Sequence, residues 1–322
     1  MIARLKGALD PYILALLGMV ALASVAPARG PFAGLAELAA NAGIVLLFFL
    51  HGAKLSREAI LAGAGNLRLH AAVLATTFLV FPLLGLACGA VPGLAPTVAA
   101  GLLFLTLLPS TVQSSIGFTA IAGGNVAAAV CSASFSNLLG IVLTPLLAAL
   151  LMGRSGAGFS WDAAEKIVLQ LLVPFLAGHL LRPLIGGWVA RHRALVSYVD
   201  RGSILLVVYT AFSAAVVAGL WRQMPAPQLA LILAISTVLL AVVLAFTWAL
   251  GRALGLPRED RLVLLFCGSK KSLASGVPIA GVLFPAAQVG AVILPVMVFH
   301  QIQLIACAFI ARRFAARPGE GT

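Results

Sequence analysis

Residues Phe266-Cys267-Gly268-Ser269-Lys270-Lys271-Ser272-Leu273-Ala274-Ser275-Gly276 lie inside a long apolar region, yet carry two adjacent lysines among glycines and serines. One ammonium at the centre of a bilayer costs about 2.5–3.5 kcal/mol on insertion scales. Two side by side need partners or a purpose, so this stretch is expected to break its helix and to face the protein interior. Non-helical backbone at membrane depth persists only where protein or a wet cavity satisfies its polar groups.

The surrounding chain makes a membrane setting unavoidable. Its 322 residues are 62% hydrophobic and only 9% charged, with mean hydropathy +1.11. Soluble chains carry about 25% charged residues. Ten apolar spans are expected, of which the first five are Pro11–Ala28, Leu35–Leu50, Ala71–Val91, Thr97–Ala122 and Val126–Met152. The second five are Ile167–Leu181, Ile204–Leu220, Leu229–Leu250, Leu262–Leu283 and Gly290–Ile310. The run after Arg4 and Lys6 is long enough to span and shows no clear cleavage site, so no cleavable signal is expected. Cys88, Cys131, Cys267 and Cys307 all fall in apolar segments without CxxC spacing and read as small packed hydrophobes.

The formal net charge of +12 comes from loops. With both termini cytoplasmic, fifteen Lys and Arg residues fall inside and Arg29, Arg154, Lys166 and Arg222 outside. That bias is a topology signal, so a nucleic-acid partner is not expected. It also favours an even number of spans.

A second interruption, Pro109-Ser110-Thr111-Val112-Gln113-Ser114-Ser115, falls in the fourth span, and Gly268–Ser272 interrupts the ninth. Positions four and nine of ten suit a five-plus-five inverted repeat, residues 1–152 and 153–322. A weak echo agrees: Thr111–Ser114 and Ile121-Ala122-Gly123 match Ser269–Ser272 and Ile279-Ala280-Gly281 at one offset. Paired broken spans in corresponding halves mark a midplane transport site.

With Phe49, Gly52 and Leu55, Phe78–Pro82, Gly124-Asn125, Cys131–Asn137, Gly268–Ser272 and Phe299-His300-Gln301, the chain resembles the bile acid:sodium symporter superfamily. The Lys-Lys form of the ninth-span motif is similar to its SBF-like branch, which includes solute carrier family 10 member 7. The resemblance implies an all-α fold of ten transmembrane helices, in panel and core domains, with helices four and nine broken and crossing. It also implies a bacterial inner (plasma) membrane location.

In sodium-coupled members of that superfamily, the ion ligands include a glutamate and a glutamine of the ninth span. Those positions correspond here to Phe266 and Lys270, and a third-span glutamine corresponds to Thr77. Fifth-span hydroxyl positions become Ala129 and Ala133, with Ser132 and Ser134 nearby, and a Ser-Asn pair becomes Ser115-Ile116 or Ser114-Ser115. The nine acidic residues all lie in loops or at span ends. Sodium sites of that type are therefore not expected, and no cofactor is.

Two site hypotheses follow. Lys270 would be a built-in cation, bridging carbonyls and hydroxyls of the two breaks; it either loads and releases a proton during transport or is a fixed tether. Lys271, at the N-terminus of the following half-helix, would bind an anionic group of the solute, unless it snorkels to the cytoplasmic surface. Thr111, Gln113, Ser114, Ser115, Ser269 and Ser272 would add donors and acceptors. Asn125 and Asn137 would brace the break of span four. His300, beside Gln301 and Gln303, is either a histidine satisfied by amides or a gating group. Glu37 is placed in an interfacial salt bridge, and His51, His70, His179 and His192 at solvated boundaries. Pro109 and Pro278 are expected to break helices. The resulting function is symporter-like secondary active transport of a small anionic organic solute by alternating access between two domains. The alternative is a membrane regulator that carries no solute and damps calcium entry. With no nucleophile–base pair or metal spacing in the spans, an enzyme is not expected.

Overall fold

A computed structural model describes residues 11–54, 65–152 and 168–315. Arg4, Lys6, Arg57, Arg154, Lys166 and Arg317, which enter the charge count, lie outside the described residues, as does Ile167 at the start of the sixth expected span. Among the described residues every regular element is helical. In chain order these are α1 (Pro11–Val25), α2 (Pro31–Lys54), α3 (Leu67–Gly89), α4 (Pro96–Leu107), α5 (Gln113–Ile121) and α6 (Val126–Met152). There follow α7 (Val168–Arg191), α8 (Arg193–Val217), the single turn α9 (Leu220–Gln223), α10 (Ala226–Ala253), α11 (Arg258–Gly268), α12 (Leu273–Leu283) and α13 (Ala286–Ala315).

Eight of these spans are long and apolar enough to cross a membrane: α2, α3, α6, α7, α8, α10, α11 with α12, and α13. The first expected span is present as the shorter α1, and the fourth as α4 and α5 on either side of a break. The two extremes of hydropathy contrast in burial. The α11–α12 span is the least apolar of the eight, yet 94% of its span window is buried, against 28% for the most apolar, α10. The helix carrying the lysines is an interior element, and the greasiest one presents its surface outward, as a bilayer solvent requires.

The chain divides into two compact units, each drawing on both halves of the sequence. One comprises Met1–Leu55, Phe159–Pro225 and Val277–Ile293; the other comprises Ser56–Gly158, Ala226–Gly276 and Leu294–Thr322.

The first unit is built on α2 against α7. The two helices meet at glycines: a Cβ on Gly52 would stand 2.0 Å from the Phe175 carbonyl oxygen, and one on Gly178 would stand 1.9 Å from that of Phe49. Backbone approaches this close admit no side chain at either position, which explains the Phe49-x-x-Gly52 spacing. Leu50, Ala53, Val189 and Val196 pack beside the crossing. Lys54 pairs with Asp200, and Tyr209 donates to the Ala26 carbonyl (2.9 Å).

The second unit contains both breaks. At one of its ends the buried Asp260, in the first turn of α11, accepts from Asn66 Nδ2 (2.7 Å) and Asn125 Nδ2 (2.9 Å). The same asparagines cap α3 and α6, their side-chain oxygens accepting from the Leu69 and Ala128 N–H groups. One carboxylate thereby ties three helix starts together.

Candidate functional site: two helix breaks around a lysine pair

The break after α4 originates at Pro109. A proline disfavours α geometry in the residue before it, and Leu108 is extended, at φ −72° and ψ 153°. The carbonyls that the interrupted helix can no longer satisfy all find partners. Leu107 accepts from Thr144 Oγ1 (2.8 Å), Pro109 from the Ser272 N–H (2.9 Å) and Ser110 from Asn137 Nδ2 (2.9 Å). The Ser110 N–H turns away from the helix to Ser136 Oγ (2.9 Å). Thr106 and Leu108 remain, and both accept from Lys271 Nζ, each at 2.7 Å.

The third acceptor of Lys271 is the Thr77 carbonyl, at 2.8 Å. It is free because α3 widens into a π turn over Thr76–Val80, with the Phe81 N–H reaching back to Thr76 O. In that wider register the next donor would be residue 82, a proline, which has no N–H. Lys271 thus spends all three ammonium hydrogens on carbonyls, and its Nζ also lies 4.1 Å from the centre of the Phe81 ring. Its backbone is clamped by Gln303, which accepts from the Lys271 N–H (2.9 Å) and donates to the Lys271 carbonyl (2.8 Å). Lys271 is fully buried, so it does not snorkel to a surface. The bridging of carbonyls expected of Lys270 belongs to Lys271.

Lys270 is equally buried but in different surroundings. Its Nζ has no hydrogen-bond partner among the described residues; it lies 4.2 Å from the Phe118 ring centre and 5.5 Å from that of Phe266. Adjacent residues at the break project to different sides, so one ammonium is caged by oxygen and the other is set against aromatic faces.

The serines link the two breaks. Ser272 Oγ accepts from the Ser275 N–H (3.1 Å), capping α12, and Ser275 Oγ donates to Asn137 Oδ1 (2.8 Å). Asn137 therefore touches the break of span four, where it was expected, and the ninth-span break as well. Thr111 Oγ1 lies 2.7 Å from Ser114 Oγ and 3.0 Å from Ser115 Oγ, and Ser115 donates to the Phe266 carbonyl (3.1 Å). Ser269 donates back to Leu265 O within α11, while Gln113 is exposed. Thr77 contributes its carbonyl and not its hydroxyl, which bonds to Val73 O.

Other expectations are corrected. Asn125 serves the Asp260 anchor and not the break. His70 is buried, not solvated, with Nδ1 2.8 Å from Ser132 Oγ; Ser134 is half-buried. His300 Nδ1 lies 2.8 Å from Gln303 Nε2, and the buried Gln301 Nε2 finds no partner among the described residues. Pro278 does not end a helix: α12 runs through it. Glu37 forms no salt bridge among the described residues, where the ion pair is Lys54–Asp200. The residues that complete the site without having been singled out are Thr106 and Thr144; Gln303, named beside His300, and Ser136, in the Cys131–Asn137 stretch, join it as well. The only sequence signal of the first two is polarity within apolar spans.

Broken helices whose backbones meet in a polar interior are the arrangement on which membrane transporters build a midplane site. The chain belongs to the SBF-like CPA transporter family, whose model matches residues 10–316. It is 56% identical over 313 residues to "Uncharacterized protein PA2026" of Pseudomonas aeruginosa, covering 96% of this chain and 93% of that protein. It is 53% identical over 308 residues to "Putative symporter YfeH" of Escherichia coli, covering 95% and 93%. "Sodium/bile acid cotransporter 7" of Rattus norvegicus is 26% identical over 267 residues, covering 81% and 78%. The branch resemblance read from the Lys-Lys motif is borne out.

Proposed function

We propose that the protein is a symporter-like secondary active transporter of a small anionic organic solute, working by alternating access. In this reading it lies in a bacterial inner membrane with both termini cytoplasmic. Its first unit acts as the panel and its second as the core, with α4–α5 and α11–α12 as the crossing broken helices of a five-plus-five repeat. The observation that carries the reading is the junction of the breaks, Ser272 N–H to Pro109 O, beside two fully buried lysines.

The charge balance of the site supports an anionic solute. Within the second unit the described carboxylates are Glu259 and Asp260, both in the first turn of α11, and Asp260 is committed to two asparagines. The charges at the breaks are positive. The carbonyls of Thr77, Thr106 and Leu108 form the kind of oxygen cage a hard monovalent cation would occupy, and the Lys271 ammonium fills it. A second cation there would meet like-charge repulsion of about 4 kcal/mol at ~4 Å and an effective dielectric of 20. Sodium is thereby displaced as the coupling ion, and coupling falls to Lys270, whose ammonium has no oxygen partner to hold it. Its proton is the one free to be exchanged.

Counterflow of labelled carboxylates and phosphate esters in proteoliposomes tests the reading. The expected result is exchange of an anionic solute, driven by a pH gradient and indifferent to sodium, with the pH drive lost in Lys270→Gln. Exchange only of cations lacking any acidic group, or an absolute sodium requirement, would overturn it.

A further inference from the structure

The first unit holds a pocket of its own between α2 and α8, with about 620 Å³ of empty space, open solvent included. Glu37 and Asn41 reach it from one face of α2, four residues apart, and Thr210 and Ser213 from one face of α8, three apart. Most of these groups have hydrogen-bonding capacity left over. Ser213 is 1% exposed and its hydroxyl has no partner among the described residues. Neither Glu37 nor Asn41 has a hydrogen bond or ion pair there. Thr210 spends its proton on the Leu206 and Val207 carbonyls (3.1 and 3.0 Å), which leaves its oxygen as an acceptor.

The unspent capacity is rich in acceptors and carries one negative charge, with apolar walls from residues such as Ile44 and Val207. Its complement is a cation with several N–H donors and a carbon body. A bare metal ion would leave the apolar walls unused, and an anion would face Glu37. Ser213, buried without a partner, carries a desolvation cost that a ligand's donor would relieve, while Glu37 stands exposed at the rim as a solvated counter-charge. We propose that this pocket binds the protonated amine of a small organic molecule, with Glu37 as counter-charge and Asn41, Thr210 and Ser213 as acceptors. It shares no residue with the lysine site and does not rest on the transport reading.

The probe is n-butylammonium chloride, titrated against the full-length protein in lipid nanodiscs and read by saturation-transfer NMR and thermal unfolding. Its isosteres n-butanol and butyrate are run in parallel at constant potassium chloride. Butylammonium is expected to bind saturably and raise the unfolding temperature, with n-butanol weaker by about tenfold or more and butyrate silent. Glu37→Gln should weaken butylammonium by about tenfold or more and Ser213→Ala by about threefold or more, with Lys270→Met leaving it unchanged. Should Glu37→Gln fold poorly, Asn41→Asp gives the second reading: an added carboxylate should tighten butylammonium, and no change would overturn the proposal. Equal binding of n-butanol, or full affinity in Glu37→Gln, would also overturn it. So would displacement of butylammonium by sodium chloride replacing potassium chloride, since the site would then belong to a metal ion.

Discussion

Replacing Lys271 with methionine keeps the volume of the side chain and removes its three donors. The carbonyls of Thr77, Thr106 and Leu108, each 2.7–2.8 Å from Nζ, then face a thioether. A buried acceptor left unsatisfied costs about 1–3 kcal/mol, so the three together cost about 3–9 kcal/mol before any relaxation. Attraction to the Phe81 ring, about 0.5–2 kcal/mol, is lost as well. Against this, the variant no longer strips an ammonium of water, which returns several kcal/mol. The expected net loss is about 2–4 kcal/mol. Lys270→Met removes no hydrogen bond among the described residues and gives up only the contacts with Phe118 and Phe266. The same desolvation is recovered there, so stability should be unchanged or increased. Reversible unfolding in mixed micelles, with both variants side by side, measures the difference. Two variants of equal stability, or Lys270→Met as the weaker, would refute the division of labour between the lysines.

Three further changes probe the framework. Gly52→Ala places a Cβ 2.0 Å from the Phe175 backbone oxygen, and since backbone yields poorly the α2–α7 crossing should part, at a cost of about 3 kcal/mol or more by the same unfolding assay. Asp260→Ala strands the amides of Asn66 and Asn125 and should cost about 2–4 kcal/mol, with Asp260→Asn losing roughly half as much. Gly140→Ala brings a Cβ within 2.6 Å of Pro109 Cβ, so it should cost about 1–3 kcal/mol and slow counterflow without changing which solute is preferred; unchanged exchange rates would show that the break tolerates displacement.

The helical membrane fold and both breaks were legible in the sequence because their causes are local. Low charge and long apolar runs force spanning helices, and Pro109 interrupts its helix by its own geometry. Gly268–Ser272 offers small polar residues where a helix would need apolar ones. The π turn of α3 has a local cause too, in Pro82, although it is recognisable only once the Thr77 carbonyl has somewhere to go. Asn137 was found as a brace because an amide in an apolar span must have a partner; Asn125 looked the same but sits at a helix start, where Asp260 takes it. His70 was misplaced because nothing local indicates that Ser132, 62 residues away, comes to meet it.

The sequence by itself determined that two lysines would be buried at a helix break in a membrane. Only the tertiary structure decided which of them is held. Lys270 and Lys271 are chemically identical neighbours, and no pattern around them tells them apart. The acceptors that do so are backbone carbonyls 163 to 194 residues earlier in the chain, freed by prolines there and brought to Lys271 by packing. A carbonyl oxygen is present in every residue and has no signature in sequence; it becomes a ligand only where the fold leaves it without its own N–H.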